Sequence, residues 1–400
     1  MNIEKRFPCV ADLETAALRR LPRFVREYLM GGIGNGVGVQ KNRDAMNAVE
    51  LMPRYLAEAD QPNLSCHLLG RNYDAPLGVA PIGLAGLVWP RAETILATAA
   101  KAHNIPYVLS TVATASLEDI REVAGENSWF QLYTPREPKI RKDLMGRCEQ
   151  AGYDTLVVTV DVPYQTRREH DIRNGLSVPP RFNLTTLCQI MGHPPWALHM
   201  LFSGIPRFAN LERYYDQGLP RSRSKSNIQQ SVQFIKERLG LHISRGIFED
   251  IRTDWPGKLL VKGVLDPEEA RTYLALGADG IIVSNHGGRQ LDAAPSSVSV
   301  LPYIREAVGP DATLIADSGA RSGLDVARML ALGADFVMMG RAFMFGVAAL
   351  GHRGGDHVMN ILKAELQSAM GQLGCATIEE LPSSLVSSNL ERESKTWPMS

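Results

Sequence analysis

From residue 76 onward, short apolar runs alternate with segments of helical periodicity. The runs predict strands over Leu77–Pro81, Pro106–Ser110, Trp129–Leu132, Leu156–Val160, Leu259–Lys262, Gly280–Ser284, Thr313–Ala316 and Phe336–Met339. Several are continuously apolar rather than alternating, the pattern of parallel strands covered on both faces. Two turns carry the same text, LALGAD, at Leu274–Asp279 and Leu330–Asp335. Each reads as a helix end, a glycine cap and entry into a strand, and Ala151–Asp154 is a weaker copy. Eight strands joined by this unit predict an α/β fold, a (β/α)8 TIM barrel over about residues 76–365, ahead of an open doubly wound sheet. The chain reads as a single domain over 1–400.

Two segments fall outside the repeat. Upstream, Phe24, Val25, Tyr28 and Leu29 have helical spacing until Gly31 and Gly32 stop the helix, which puts Tyr28 at a helix C-terminus. The glycines up to Gly38 follow a helix rather than a strand and do not complete GxGxxG, which argues against a dinucleotide fold. Between the fourth and fifth predicted strands the chain runs from about 164 to 256, too long for an ordinary connection, with an insertion at about 175–240. Its centre, residues 188–202, is apolar with glycine and proline breaks; Arg207, Arg213, Arg221, Arg223 and Lys225 follow. Two readings stay open: a lid packed on the barrel or on another subunit, or an interfacial anchor with Trp196 and Phe202 among lipid headgroups.

Composition narrows the partners. With 43 basic and 43 acidic residues the formal charge is +0, so no global field draws in nucleic acid or an anionic surface. An apolar content of 44% over 400 residues supports a large buried core and excludes disorder. The cysteines, Cys9, Cys66, Cys148, Cys188 and Cys375, are odd in number and never in CxxC spacing, which argues against a disulfide framework and a thiolate metal site. No metal is expected, and a reducing cytoplasmic setting is. The N-terminus lacks an apolar run of signal-peptide length, and no stretch reaches the ~18 apolar residues that cross a bilayer. Any membrane contact is therefore expected to be peripheral, at the inner face of the cell membrane.

The candidate chemistry lies at the C-terminal ends of the predicted strands, where such barrels keep their active sites. Ser284–Asp292 (SNHGGRQLD) places His286 and Arg289 around two glycines, a base and a carboxylate clamp aimed into one space. The other strand ends supply Pro81, Ile82 and Gly83; Ser110; Gln131 and Tyr133; Thr159 and Asp161; and Lys262. After the last two strands, Asp317, Gly319 and Arg321 with Gly340 and Arg341 offer backbone N–H groups and guanidinium donors for a phosphate.

In these motifs the chain resembles the FMN-dependent 2-hydroxy-acid dehydrogenase and oxidase family, which includes flavin-linked L-lactate dehydrogenases, (S)-mandelate dehydrogenase and glycolate oxidase. The resemblance runs from about residue 7 to about 385. It implies bound FMN and oxidation of an L-2-hydroxy acid to the 2-oxo acid. It implies that Tyr28 bonds the substrate carboxylate, that Tyr133 contacts the substrate hydroxyl, and that Arg168 and Arg289 hold the carboxylate. His286 is similar to the family base and Asp161 to its partner. Pro81, Ile82, Gly83, Ser110, Gln131, Thr159, Lys262 and Ser284 match flavin-contact positions, with Lys262 beside flavin N1 and O2. Asp317, Gly319, Arg321, Gly340 and Arg341 match the phosphate end. A homo-oligomer is expected from the family.

The chain departs from glycolate oxidases at Ile82 and Gly83, where they have Thr-Ala, and at Val112, where they have Trp. Loss of the indole leaves space for a larger C2 substituent. Gly38–Asn42 and Trp89–Arg91 look mandelate-dehydrogenase-like, whereas His193–Trp196 looks like bacterial L-lactate dehydrogenases. Three functions remain in play: a dehydrogenase passing electrons to a quinone or other acceptor, an oxidase releasing hydrogen peroxide, and a non-redox phosphate-binding barrel.

Overall fold

The computed structural model describes residues 2–56, 61–164, 166–167, 169–173, 184–204, 206–215, 234–235, 237–239 and 242–386. A short antiparallel hairpin, β1 (Cys66–Leu68) and β2 (Arg71–Tyr73), precedes the barrel. The barrel strands are β3 (Leu77–Val79), β4 (Tyr107–Ser110), β5 (Ser128–Leu132), β6 (Thr155–Thr159), β7 (Lys258–Val264), β8 (Gly280–Val283), β9 (Leu314–Ala316) and β10 (Phe336–Met339). They pair in parallel in chain order, and β10 returns to β3 to close the ring. Each of the eight predicted runs forms one of these strands, and helices alternate with them around the outside. Every residue of β4, β5, β6, β8 and β10 is buried, which accounts for their continuous apolar text.

The repeated LALGAD turn is a repeated structure. Gly277 and Gly333 both sit in the left-handed region, at φ +93° and +103°, which a side chain rarely adopts. The aspartate that follows does the same work in both copies. Asp279 accepts from the Leu259 N–H and pairs with Arg252 at 3.0 Å; Asp335 accepts from the Leu314 N–H and pairs with Arg305 at 2.9 Å. Each carboxylate thus fixes the start of the preceding strand, which registers the strands whose far ends carry the site.

Upstream, the predicted helix forms as Arg23–Met30, ends at Gly31, and buries Phe24, Val25 and Leu29. A second helix, Val37–Ala48, follows the glycine-rich turn. The insertion after β6 contains the helices Leu184–Met191 and Pro194–Ser203. Trp196 does not stand at an interface: it is 5% exposed, edge-on to Phe24 at 5.6 Å, and its indole N–H donates to the Leu87 carbonyl. An indole with both an aromatic partner and a carbonyl acceptor is better buried than in a headgroup layer. Its neighbours Leu198, Leu201 and Phe202 are exposed, Phe202 to 85%. The insertion therefore both packs on the barrel and presents an apolar face. Arg207 and Arg213 lie 3.9 Å from Glu212 and Asp143 respectively. Arg168, Arg221, Arg223 and Lys225 lie outside the described residues.

Candidate active site

The strand ends converge on a cavity at the C-terminal mouth of the barrel. Of the residues singled out from sequence, its wall includes Tyr28, Pro81, Ile82, Gly83, Gln131, Tyr133, Thr159, Lys262, His286, Arg289, Asp317, Gly319, Arg321, Gly340 and Arg341. Asp161, Ser110 and Ser284 stand one layer behind it. Ser110 donates to the Gln131 side-chain oxygen, whose amide in turn donates to Thr159. The Ser284 hydroxyl accepts from the Lys262 ammonium and from the His286 N–H.

His286 is held from two sides. Its Nδ1 lies 2.9 Å from Asp161 Oδ1 and its Nε2 lies 3.2 Å from the Tyr133 hydroxyl. Burial pushes the Asp161 carboxyl up, but the imidazole and the Lys262 ammonium outweigh it and hold the group below its ordinary value. An ionised Asp161 fixes the proton on Nδ1 and leaves Nε2 as the acceptor facing the cavity. The backbone here is strained: His286 has φ +58°, followed by Gly287 at +68° and Gly288 at +76°. Two glycines take that conformation freely and His286 does not, so the turn must be held by its surroundings.

Lys262 is buried and pairs with Asp317 at 3.1 Å. Burial pulls its ammonium down, yet Asp317 and Asp161 together raise it above its ordinary value, so a cation is fixed in the wall. Asp317 thus serves Lys262 as an acceptor; a carboxylate there repels a phosphate, so among the residues grouped at that end it is the lysine's partner. Arg289 donates to the carbonyls of Tyr28 and Gly31, and its guanidinium lies 5.3 Å over the Tyr28 ring. The Tyr28 hydroxyl donates to the Gly83 carbonyl at 2.7 Å. Arg341 donates to the carbonyls of Leu29, Gly31 and Gly287, which ties the Tyr28 segment to the His286 turn.

The residues present fit FMN. The Arg321 guanidinium has no carboxylate within ion-pair distance among the described residues, and burial lowers it to about 10. A partly buried guanidinium that no carboxylate pairs with directly is a ready anion site. Beside it Gly319 turns at φ +106°, where a Cβ would meet the backbone of Asn42 at 3.1 Å. At the other end of the cavity a Cβ on Gly83 would lie 2.7 Å from Val112, so only glycine keeps this wall flat. FMN bound here supplies a two-electron acceptor. Arg321 and the Gly319 and Gly340 backbone would hold its phosphate, and Lys262, Gln131 and Thr159 its polar ring edge, with Ser110 orienting Gln131 from behind.

Sequence reasoning missed three members of the site. Asn42 and Asn285 bond each other beneath the His286 turn, and the Ser318 hydroxyl accepts from the Asn285 and Gly287 N–H groups. The one available signal was an asparagine inside the helix Val37–Ala48, a position that residue type disfavours without a specific partner.

Comparison with known proteins agrees with this geometry. The profile of the family described as FMN-dependent dehydrogenase matches residues 17–388. An L-lactate dehydrogenase of Pseudomonas syringae pv. syringae (strain B728a) is 38% identical over 380 residues, covering 94% of this chain and 97% of its own. An L-lactate dehydrogenase of Xanthobacter autotrophicus (strain ATCC BAA-1158 / Py2) is 38% identical over 383 residues, covering 96% and 97%. Among solved structures, a monotopic membrane protein, (S)-mandelate dehydrogenase, superposes with a TM-score of 0.88 at 35% identity, over 94% of this chain and 98% of that one. A mandelate oxidase with (S)-2-phenylpropionate superposes with a TM-score of 0.78 at 33% identity, over 95% and 98%. A barrel with this mouth and this match along its length is an FMN-dependent hydroxy-acid oxidoreductase, and the chain belongs to the FMN-dependent dehydrogenase family.

Proposed function

We propose that the protein oxidises an L-2-hydroxy acid, lactate- or mandelate-like, to the 2-oxo acid and passes the electrons to a quinone. The observation that carries the reading is the single line of contacts Asp161, His286, Tyr133 at the cavity wall, with Arg289 and Tyr28 beside it. A carboxylate entering the cavity would meet Arg289 and the Tyr28 hydroxyl, and Arg168 completes the clamp in this reading. The substrate hydroxyl would lie within reach of Tyr133 and His286. His286 Nε2 accepts the proton as C2 is oxidised, and the ionised Asp161 favours the imidazolium that results. Lys262 opposes the negative charge that accumulates on the cofactor ring.

Substrate size follows from the apolar part of the wall, Ile82, Val112 and Met344, where no indole stands. The quinone reading is supported by the exposed Leu198, Leu201 and Phe202 of the insertion, which would meet a membrane surface as amphipathic interfacial helices do. Among the described residues no helix is long and apolar enough to cross a membrane. The similar proteins include lactate dehydrogenases and a monotopic membrane protein, (S)-mandelate dehydrogenase, which support both halves. The test is anaerobic bleaching of the bound flavin across short aliphatic and aromatic 2-hydroxy acids, each enantiomer separately, followed by reoxidation with quinone or oxygen. Bleaching by no 2-hydroxy acid removes the reading. Reoxidation by oxygen at the quinone rate converts it to an oxidase.

A further inference from the structure

The His286 turn is held from above by the Ser284 and Ser318 hydroxyls and by Arg341, and one further support lies beneath it. Three successive left-handed residues include one that is not glycine, and such a backbone persists only where the surroundings hold it. The further support is a pair of buried amides. Asn42 Nδ2 donates to Asn285 Oδ1 at 2.8 Å, and Asn285 Nδ2 returns a bond to Asn42 Oδ1 at 2.7 Å. Both side chains are buried, at 2% and 5% exposure; Asn285 Nδ2 also donates to the Pro295 carbonyl at 3.0 Å, so it is the Asn42 amide that loses its partners if the pair is broken. The same Asn285 oxygen accepts from the Gly288 N–H at 3.1 Å, closing the turn over His286.

Asn42 also faces the other end of the cofactor site. A Cβ on Gly319 would lie 3.1 Å from the Asn42 carbonyl oxygen and 3.2 Å from its Cβ, so the helix and the anion loop are in contact. The next residue, Arg43, donates to the Gly319 carbonyl at 2.7 Å and pairs with the buried Asp325 at 2.9 Å. Asp325 in turn accepts from the Arg321 N–H at 2.9 Å. Adjacent residues of one helix therefore grip two loops.

We propose that Asn42 is a positioning residue: its paired amide holds the Asn285–Gly288 turn that aims His286, and with Arg43 it locks that turn to the Gly319–Arg321 loop. The inference rests on the functional reading above in assigning His286 to proton removal. Asn42 touches neither substrate nor cofactor in that reading and acts through Asn285.

The test uses the FMN-loaded full chain with Asn42→Asp, isosteric but able to return only one bond while ionised, and Asn42→Ala. FMN content and thermal unfolding are measured first, and rates are taken at saturating FMN. Two readouts follow: hydrogen–deuterium exchange of the segment 284–292, and the limiting rate and apparent substrate affinity of anaerobic flavin reduction against pH. Exchange in 284–292 should rise while β5 and β6 stay protected. The limiting rate should fall about 10- to 100-fold, as expected of a reacting group displaced by about 1 Å, with substrate affinity changed less than threefold. In Asn42→Asp the deficit relative to wild type should shrink as pH falls, because a protonated carboxyl restores the second bond. Unchanged exchange, or raised exchange with a wild-type rate at saturating FMN, overturns the proposal. Wild-type flavin that no 2-hydroxy acid bleaches removes the functional reading instead, and exchange in 284–292 then decides alone whether Asn42 holds the turn.

Discussion

The carboxylate of Asp161 occupies the space that a side chain on Gly263 would fill. A Cβ at Gly263 would lie 2.4 Å from the Asp161 carboxyl carbon, and Gly263 itself has φ +105° at an irregularity in the β7–β8 register. The strand therefore bends around the aspartate that orients His286. Gly263→Ala should push Asp161 away from the imidazole and strain the strand at once. Flavin reduction should slow at least about tenfold and unfolding free energy should drop by about 1–3 kcal/mol. Stopped-flow reduction and denaturant titration check the two effects separately. A destabilised variant that reduces its flavin at the wild-type rate would show that the Asp161 position is not critical.

His286→Gln should retain FMN, because the anion loop and Lys262 are untouched, and should lose flavin reduction by about 10²–10⁴-fold, the ordinary cost of removing a general base. Glutamine keeps an amide in the space without a basic nitrogen. The comparison needs only the flavin absorbance of the purified variant and its anaerobic decay with substrate. Near-normal decay would remove the proton-transfer role.

Arg321→Met should weaken FMN but not riboflavin, since only FMN carries the phosphate that the Arg321 guanidinium would hold. Loss of a charged hydrogen bond costs about 1.5–3 kcal/mol, or roughly 10- to 150-fold in affinity. Fluorescence quenching on titration of the apoprotein with each flavin measures both constants. Equal weakening of the two flavins would mean that Arg321 shapes the loop rather than binding phosphate.

The pH dependence of stability follows from two shifts of opposite kind. Asp161 is held below its ordinary 3.8 in the folded chain, so its contribution is present above that value and is lost as pH falls through the folded value. Lys262 is held above its ordinary 10.5, so its contribution is present below that value and is lost as pH rises through the folded one. Asp161→Asn should therefore flatten the acid limb and weaken the alkaline limb without removing it, because Asp317 still raises Lys262. Urea midpoints measured from acid to alkaline pH read both limbs. An acid limb of unchanged steepness in that variant would show that Asp161 is not the group lost on that side.

Most of the barrel was legible because its strands are buried on both faces and announce themselves as apolar runs. The ends of Leu77–Pro81 and Leu156–Val160 were read too long by one or two residues, because Pro81 and Val160 stay apolar after the ladder stops. The His286 motif, Lys262 and the anion loop were legible as residue types at strand ends. The Asn42–Asn285 pair was not, since its members are 243 positions apart and an asparagine inside a helix does not say which residue it bonds. The hairpin of β1 and β2 escaped notice because three-residue strands carry too little pattern. Trp196 left two readings open because an indole suits a membrane surface and a packed interior equally, and only its contact with Phe24 decides for packing.

That burial also moves the membrane question to different residues. Leu198, Leu201 and Phe202 lie on the last turns of the helix Pro194–Ser203 and are exposed to 53%, 75% and 85%. Their substitution leaves Trp196 and its contacts with the barrel intact, so it separates membrane contact from packing. Leu201→Ser with Phe202→Ser should reduce sedimentation with anionic vesicles while leaving flavin reduction by substrate within about twofold, because neither side chain lines the cavity. The loss should be largest at moderate salt, where screening removes the help of basic groups and leaves the apolar contribution exposed. Electron transfer to a quinone embedded in vesicles should fall with sedimentation, and transfer to a soluble dye should not. Wild-type protein that stays in the supernatant at low salt would assign this face to another subunit or to a lid.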